Sequence, residues 1–302
     1  MEEIYDVLIL GGGPAGLTAA IYSGRYNLKT LVVAGNFGGT ANLAGEVENW
    51  PGFVGSGMEL MINIEKQAEK FGVKFLETLF EKVEKVDGLF VLHYQGKVVK
   101  GKSLIVALGT EHRQLNIRGE KEFLGKGVSY CATCDGNFFR KKNVAVVGGA
   151  DSAAKAALYL SDICEKVYVV YRKHEMRCEP VSLSKICSTK NIEIIYFANP
   201  VEILGEGVVK GLKIDVEDKG ESVLDVSGIF IEAGAVAATE VLADLGLKMD
   251  RGYVVTGKDC KTNVSGVFAA GDVTDSPMRQ MITAAGEGAV AAKGVHEFLM
   301  EK

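Results

Sequence analysis

Residues 4–10 read Ile-Tyr-Asp-Val-Leu-Ile-Leu and run directly into Gly11-Gly12-Gly13-Pro14-Ala15-Gly16. A nearly continuous apolar run of this length suits a central strand of a parallel sheet, buried on both faces. The G-x-G-x-x-G spacing, a helix pattern from Pro14 to about Tyr22 and a strand at Thr30-Leu31-Val32-Val33 complete a βαβ unit. Gly11 permits the tight turn, Gly13 lets backbone N–H groups approach a pyrophosphate, and Gly16 lets helix pack on strand. The phosphates then lie at the helix N-terminus, where free N–H groups and the dipole favour negative charge. The arrangement returns at Asn143-Val144-Ala145-Val146-Val147, followed by Gly148-Gly149-Ala150-Asp151-Ser152-Ala153, a helix to Leu160 and a strand at Val167–Val170.

Between the two units the pattern predicts a loop over 38–52 punctuated by Gly45, a helix over 57–72, and an antiparallel insertion over 73–99 turning at Asp87-Gly88. Ser103–Leu108 is a further buried strand, ending at Gly109 on the edge where a nucleotide would lie. Short strands with turns at Gly205-Glu206-Gly207 and Asp218-Lys219-Gly220 follow the second unit, and Ile229–Gly234 marks the return to the first. Gly252–Val255 and Gly266–Asp272 resume it, and Met281–Leu299 reads as a helix rich in Ala and Gly. The expected fold is α/β, with two Rossmann-like three-layer domains, one inserted into the other. The expected segments are 1–112, 113–235 and 236–302.

Several function classes fall away on composition. A formal net charge of −5 disfavours a nucleic-acid partner. No apolar run approaches the roughly 20 residues of a membrane span. The start, Met1-Glu2-Glu3, lacks the positive region of a secretory signal, so a cytoplasmic protein is expected.

The two fingerprints differ chemically. After the first, Ala34-Gly35-Asn36 stands where an acid would hold the ribose hydroxyls. In the second, Ala150 replaces the middle glycine. Arg172, Lys173 and Arg177 after its second strand either clamp a ribose 2′-phosphate or form a solvated basic loop. Asp272, at a strand end beside Gly271, either accepts a sugar or ribitol hydroxyl or caps a helix.

Six cysteines are too few for a disulfide scaffold, and only Cys131 and Cys134 are paired in sequence. Cys164, Cys178, Cys187 and Cys260 are expected to be packed thiols. The stretch Ser129-Tyr130-Cys131-Ala132-Thr133-Cys134-Asp135-Gly136 can close a redox disulfide or supply half a metal site. A structural zinc site needs four ligands, and no second C-x-x-C or H-x-x-x-H exists here, so no metal is expected. Asp135 is either a proton-transferring acid or a turn residue in Asp-Gly.

Gly11–Gly16, Val47-Glu48-Asn49-Trp50-Pro51-Gly52, Cys131–Gly136, Gly266–Asp272, and Arg279-Gln280 with Ala284-Ala285-Gly286 occur in an order and spacing that spans essentially the whole chain. Together they resemble the low-molecular-weight thioredoxin reductases of the pyridine-nucleotide disulfide oxidoreductase superfamily. The resemblance implies FAD in the discontinuous outer domain, held by Gly11, Gly13, Pro14, Ala15, Gly16, Gly38, Gly39, Thr40, Asn49, Gly109, Gly271, Asp272, Arg279 and Gln280. It implies NADPH in the inserted domain, at Gly148, Gly149, Asp151, Ser152, Ala153, Arg172, Lys173 and Arg177. Cys134 would face the flavin, Cys131 would attack the disulfide of thioredoxin or a similar redox protein, and Asp135 would protonate the leaving thiolate. A homodimer is implied as well. Members using NADPH typically read Gly-Gly-Gly at the second fingerprint and His-Arg-Arg after its second strand. Here Ala150, Tyr171 and Lys173 depart, as do Thr40 and Ala237-Ala238 elsewhere. Ferredoxin and NADH stay open as donors, as does a flavin-binding redox module without turnover.

Overall fold

A computed structural model describes residues 3–44, 47–216 and 219–301; Gly45 and Asp218, read above as turn positions, lie outside the described residues. The chain divides into two compact units, Met1–Glu111 with Val236–Lys302, and the intervening His112–Ala235.

The first unit opens with β1 (Ile4–Gly12), α1 (Pro14–Arg25) and β2 (Thr30–Phe37). A small hairpin, β3 (Val47–Trp50) and β4 (Phe53–Gly55), leads to α2 (Gly57–Glu69) and β5 (Lys74–Glu77). Then come β6 (Lys82–Val86), β7 (Leu89–Tyr94), the ten-residue β8 (Lys97–Val106) and β9 (Thr110–His112). The sheet order is β5-β2-β1-β8-β7-β6, parallel as far as β8 and antiparallel beyond. Val7 and Ile9 of β1 enter one core with Leu17 and Ala20, while Leu8 and Leu10 enter another with Phe90 and Leu92. Both faces are therefore covered, which is why the strand reads as an unbroken apolar run. Asp87 and Gly88 both take positive φ, the pair that matches the twist of a tight hairpin.

In the second unit β10 (Val128–Ser129) precedes the single turn α3 (Ala132–Asp135). The βαβ unit follows as β11 (Asn143–Val147), α4 (Asp151–Ser161) and β12 (Lys166–Val170), then α5 (Pro180–Ser188) and β13 (Ile192–Ile195). A meander, β14 (Ala198–Glu206), β15 (Val208–Val216) and β16 (Gly220–Asp225), leads into β17 (Gly228–Ile231). The main sheet, β10-β17-β11-β12-β13, is parallel throughout; the meander is a separate antiparallel sheet. Val144 and Val146 point into one core, Ala145 and Val147 into another. The sequence pattern does not announce α5, which is held by tertiary packing of Ile186 rather than by strong helix formers.

The return segment carries β18 (Ala235–Ala237), β19 (Met249–Asp250), β20 (Tyr253–Val254), β21 (Val267–Ala269) and α6 (Met281–Met300). β18 pairs with β9, so the two crossings of the chain run side by side. β21 docks in parallel on the C-terminal half of β8, whose first half is taken by β7. A Cβ at Gly288 of α6 would collide with the Ala15 carbonyl oxygen, so the small residue is what lets α6 lie against α1. Among the described residues no helix is long and apolar enough to cross a membrane.

Candidate active site

β10 delivers the chain to the cysteine pair. Cys131 and Cys134 form a disulfide with Cα atoms 5.3 Å apart. Cys131 is half-buried and caps α3, its Sγ accepting a hydrogen bond from the Cys134 N–H at 3.2 Å; Cys134 is exposed. The same N–H would steady a thiolate once the pair is reduced.

Asp135 ends α3 with its carboxylate turned inward. Its Oδ2 accepts the Ser129 hydroxyl at 2.6 Å, and the Ser129 Oγ in turn accepts the Cys131 N–H at 3.0 Å. The Tyr130 hydroxyl donates to Glu120 Oε1 at 2.7 Å. Glu120 is only 2% exposed and also accepts the N–H groups of Leu115 (2.9 Å) and Asn116 (2.6 Å). Burial and the Glu120 carboxylate push the Tyr130 phenol far above its ordinary range, so it acts as a fixed donor. His112 stacks on Tyr130 with ring centroids 5.4 Å apart. The sequence shows Ser129 only as part of the cysteine stretch, without a role of its own, and nothing local marks Glu120.

Among the other cysteines, Cys164 and Cys260 are buried, and burial pushes their thiols up to about 11 and about 12. Cys178 is half-buried, whereas Cys187 is exposed on α5 and so corrects the expectation of a packed thiol. Among the described residues no group of three or more His, Cys, Asp or Glu side chains gathers as for a metal ion.

The flavin candidates converge at the carboxyl edge of one sheet. Gly13 precedes α1 as a cap without a side chain, Pro14 fills the first position, and the helix N–H groups have no capping partner. A Cβ at Gly11 would strike the Ala107 carbonyl and one at Gly16 the Gly11 carbonyl, while one at Gly13 or Gly109 would meet nothing within 4 Å. The tight positions build the turn and the open ones leave room above it. Gly38 donates its N–H to the Gly12 carbonyl at 2.7 Å, and Asn36 Oδ1 accepts the Gly39 N–H at 3.0 Å. Asn36, standing where an acid was expected, thus braces the loop that carries the exposed Thr40.

At the end of β21, Gly271 packs against Ala15 and Ala284 and donates its N–H to Glu287 Oε2 at 2.7 Å. Glu287, likewise unmarked in the sequence, also accepts the Ser276 hydroxyl at 2.7 Å. Asp272 caps no helix, since α6 begins only at Met281. Burial pushes its carboxyl above the ordinary value, and Arg279 and Glu287 pull in opposite directions. The Arg279 guanidinium lies 3.8 Å from the Tyr253 ring centroid, and Asn49 donates to Gln280 Oε1 at 3.1 Å. An uncapped helix start, an open glycine cradle and a half-buried acid fit a dinucleotide such as FAD.

The second fingerprint is more closed. A Cβ at Gly148 would meet the Glu232 carbonyl, and one at Gly149 would enter the Tyr171 ring. Tyr171 is buried and its hydroxyl accepts the Arg177 Nε–H at 3.2 Å, while the Arg177 backbone N–H donates to the Gly149 carbonyl at 2.6 Å. Arg172, Lys173 and Arg177 are exposed on one loop, and Ala150 caps α4 without a side-chain hydrogen bond. Asp151 Oδ1 accepts the Glu179 N–H at 2.7 Å, and Ala153 is buried. Burial pushes the Glu232 carboxyl up to about 7, against a hydrogen bond with Ser152 that pulls it down. An uncapped helix start beside three cations fits a phosphorylated dinucleotide.

A redox disulfide in a chain with two dinucleotide folds defines a disulfide oxidoreductase of the two-nucleotide kind. Residues 5–288 match the family model of pyridine nucleotide-disulphide oxidoreductases, and the chain belongs to that family. It is 39% identical to the thioredoxin reductase of Listeria monocytogenes over 306 aligned positions, which cover 99% of this chain and 95% of that protein. The crystal structure of Lactococcus lactis thioredoxin reductase (FR conformation) matches with a TM-score of 0.93 at 35% identity, covering 99% of this chain and 100% of that one. A ferredoxin-flavin thioredoxin reductase from Clostridium acetobutylicum matches with a TM-score of 0.55 at 30% identity, covering both chains fully.

Proposed function

We infer that this chain is a thioredoxin-disulfide reductase, passing electrons from NADPH through FAD and the Cys131–Cys134 pair to thioredoxin or a similar protein disulfide. The observation that carries the reading is the disulfide with Asp135 held beside it by Ser129. FAD, if held by the glycine cradle and Asp272 of the first unit, would supply the two electrons that open the disulfide. With the pair reduced, the Cys131 thiolate attacks the partner's disulfide and forms a mixed disulfide. Asp135 gives a proton to the partner's released thiolate. Cys134 then attacks Cys131 Sγ, restoring the internal disulfide and freeing the partner.

Replacing Cys134 by Ser should leave FAD bound and abolish thioredoxin reduction; turnover that survives the change would sink the mechanism. The donor is tested by anaerobic flavin bleaching with NADPH, NADH and reduced ferredoxin in turn. Rapid bleaching by NADPH is expected. Bleaching by ferredoxin alone would replace that assignment, an outcome that the Tyr171 ring over Gly149 and the methyl group of Ala150 make worth testing.

A further inference from the structure

The Ser129 hydroxyl is only 5% exposed as part of its residue and reaches the chemistry through its neighbours rather than by its own bonds to sulfur. We propose that Ser129 is a positioning residue that holds Asp135 in one place through both of its protonation states, so that the exchange proton moves without side-chain rearrangement. The proposal rests on the disulfide-reductase reading above.

A serine hydroxyl has one proton and two lone pairs. One lone pair of Ser129 is committed to the Cys131 N–H at 3.0 Å. Its proton faces two acceptors, Asp135 Oδ2 at 2.6 Å and the Cys131 carbonyl at 3.2 Å. With Asp135 ionised, the proton points to Oδ2; 2.6 Å is the length of an O–H···O⁻ bond. With Asp135 protonated on Oδ1, the oxygen Ser129 does not hold, Oδ2 goes on accepting the same hydroxyl and the transferable proton is left open to the partner's sulfur. Both states are satisfied by one arrangement of heavy atoms and one setting of the hydroxyl rotor. Tyr130, between Ser129 and Cys131, is pinned to the buried Glu120, so the frame around the rotor is fixed.

The proton balance requires both states in every turnover. As the Cys131 thiolate forms its bond to the partner, the partner's disulfide breaks and the first released sulfur takes the Asp135 proton. Asp135 regains a proton from the Cys134 thiol as that sulfur attacks Cys131. The second partner sulfur leaves as a thiolate, two electrons have passed to the partner, and the enzyme disulfide is restored.

The test reduces the full flavin-loaded enzyme with dithionite, so that no natural donor is involved, and follows its reaction with oxidised thioredoxin by stopped flow. Asp135→Asn should slow the exchange about a hundredfold. Ser129→Ala should slow it about tenfold with unchanged flavin content, and Ser129→Thr, which keeps the hydroxyl, should stay within about twofold of the parent. In an Asp135→Asn background, Ser129→Ala should add less than about twofold, because the group it positions is already gone. An undiminished rate in Ser129→Ala, or the same loss in both backgrounds, would overturn the proposal. Should Ser129→Ala fail to fold, Ser129→Thr carries the test: it must keep the parent's pH profile, and an altered profile overturns the idea. A parent enzyme that cannot reduce thioredoxin at all would instead remove the functional reading beneath it.

Discussion

At Gly13 an added Cβ would meet no heavy atom within 4 Å, whereas at Gly16 it would run into the Gly11 carbonyl oxygen. Two glycines of one fingerprint therefore have separable duties. Gly13→Ala should cost the flavin-free protein under about 1 kcal/mol, since the residue is a helix cap with extended backbone, yet weaken FAD binding about tenfold or more. Gly16→Ala should destabilise the fold itself by about 1–3 kcal/mol through overpacking. Denaturant unfolding with and without FAD, together with flavin titration, separates the two outcomes. Such glycines are legible in sequence because their spacing encodes backbone geometry. Ser129 and Glu287 are not, because a hydroxyl or carboxylate at those positions has many possible partners until the strands and helices have assembled.

Helix starts differ by purpose. α2 closes its own, with Ser56 and Glu59 exchanging side-chain and backbone hydrogen bonds in a capping box, and Ser56→Ala should cost about 1 kcal/mol. α1 and α4 have no such box, which leaves their first N–H groups without a side-chain cap at the ends where we propose the two nucleotides bind. Near α4, Glu232 at the end of β17 has its carboxyl raised from 4.5 to about 7 by burial. The folded form then binds the proton more tightly than the unfolded chain, so this residue's contribution is complete below about 4.5 and is lost as pH rises towards about 7. Against Glu232→Gln, the parent should lose up to about 3 kcal/mol across that window, read from denaturation midpoints at each pH; a flat difference would refute it. The elements β1, α1, β2, β11 and α4 were visible in the sequence because burial on both sheet faces and fingerprint spacing leave strong patterns. α5 and the Tyr171–Arg177 contact were not, since they depend on packing partners distant in the chain.

At the scale of the molecule, two units with separate cores should respond separately to ligands. FAD should slow amide exchange around residues 11–16 and 271–272 and raise the unfolding transition of that unit, leaving 112–235 unmoved. NADPH should act on 112–235 alone. Mass-spectrometric hydrogen exchange checks both, and protection of the wrong unit would reassign the sites.

The docking of β21 on β8 has a consequence for how the chain comes off the ribosome. The first sheet is begun by β1 but completed only by β21, and covered by α6, after the whole intervening unit has been made. The middle of the polypeptide can therefore fold while the beginning still waits for the end, reversing the usual N-terminal-first order of synthesis. A stalled nascent chain ending just before Val267 should protect residues 112–235 from protease and leave the first segment sensitive.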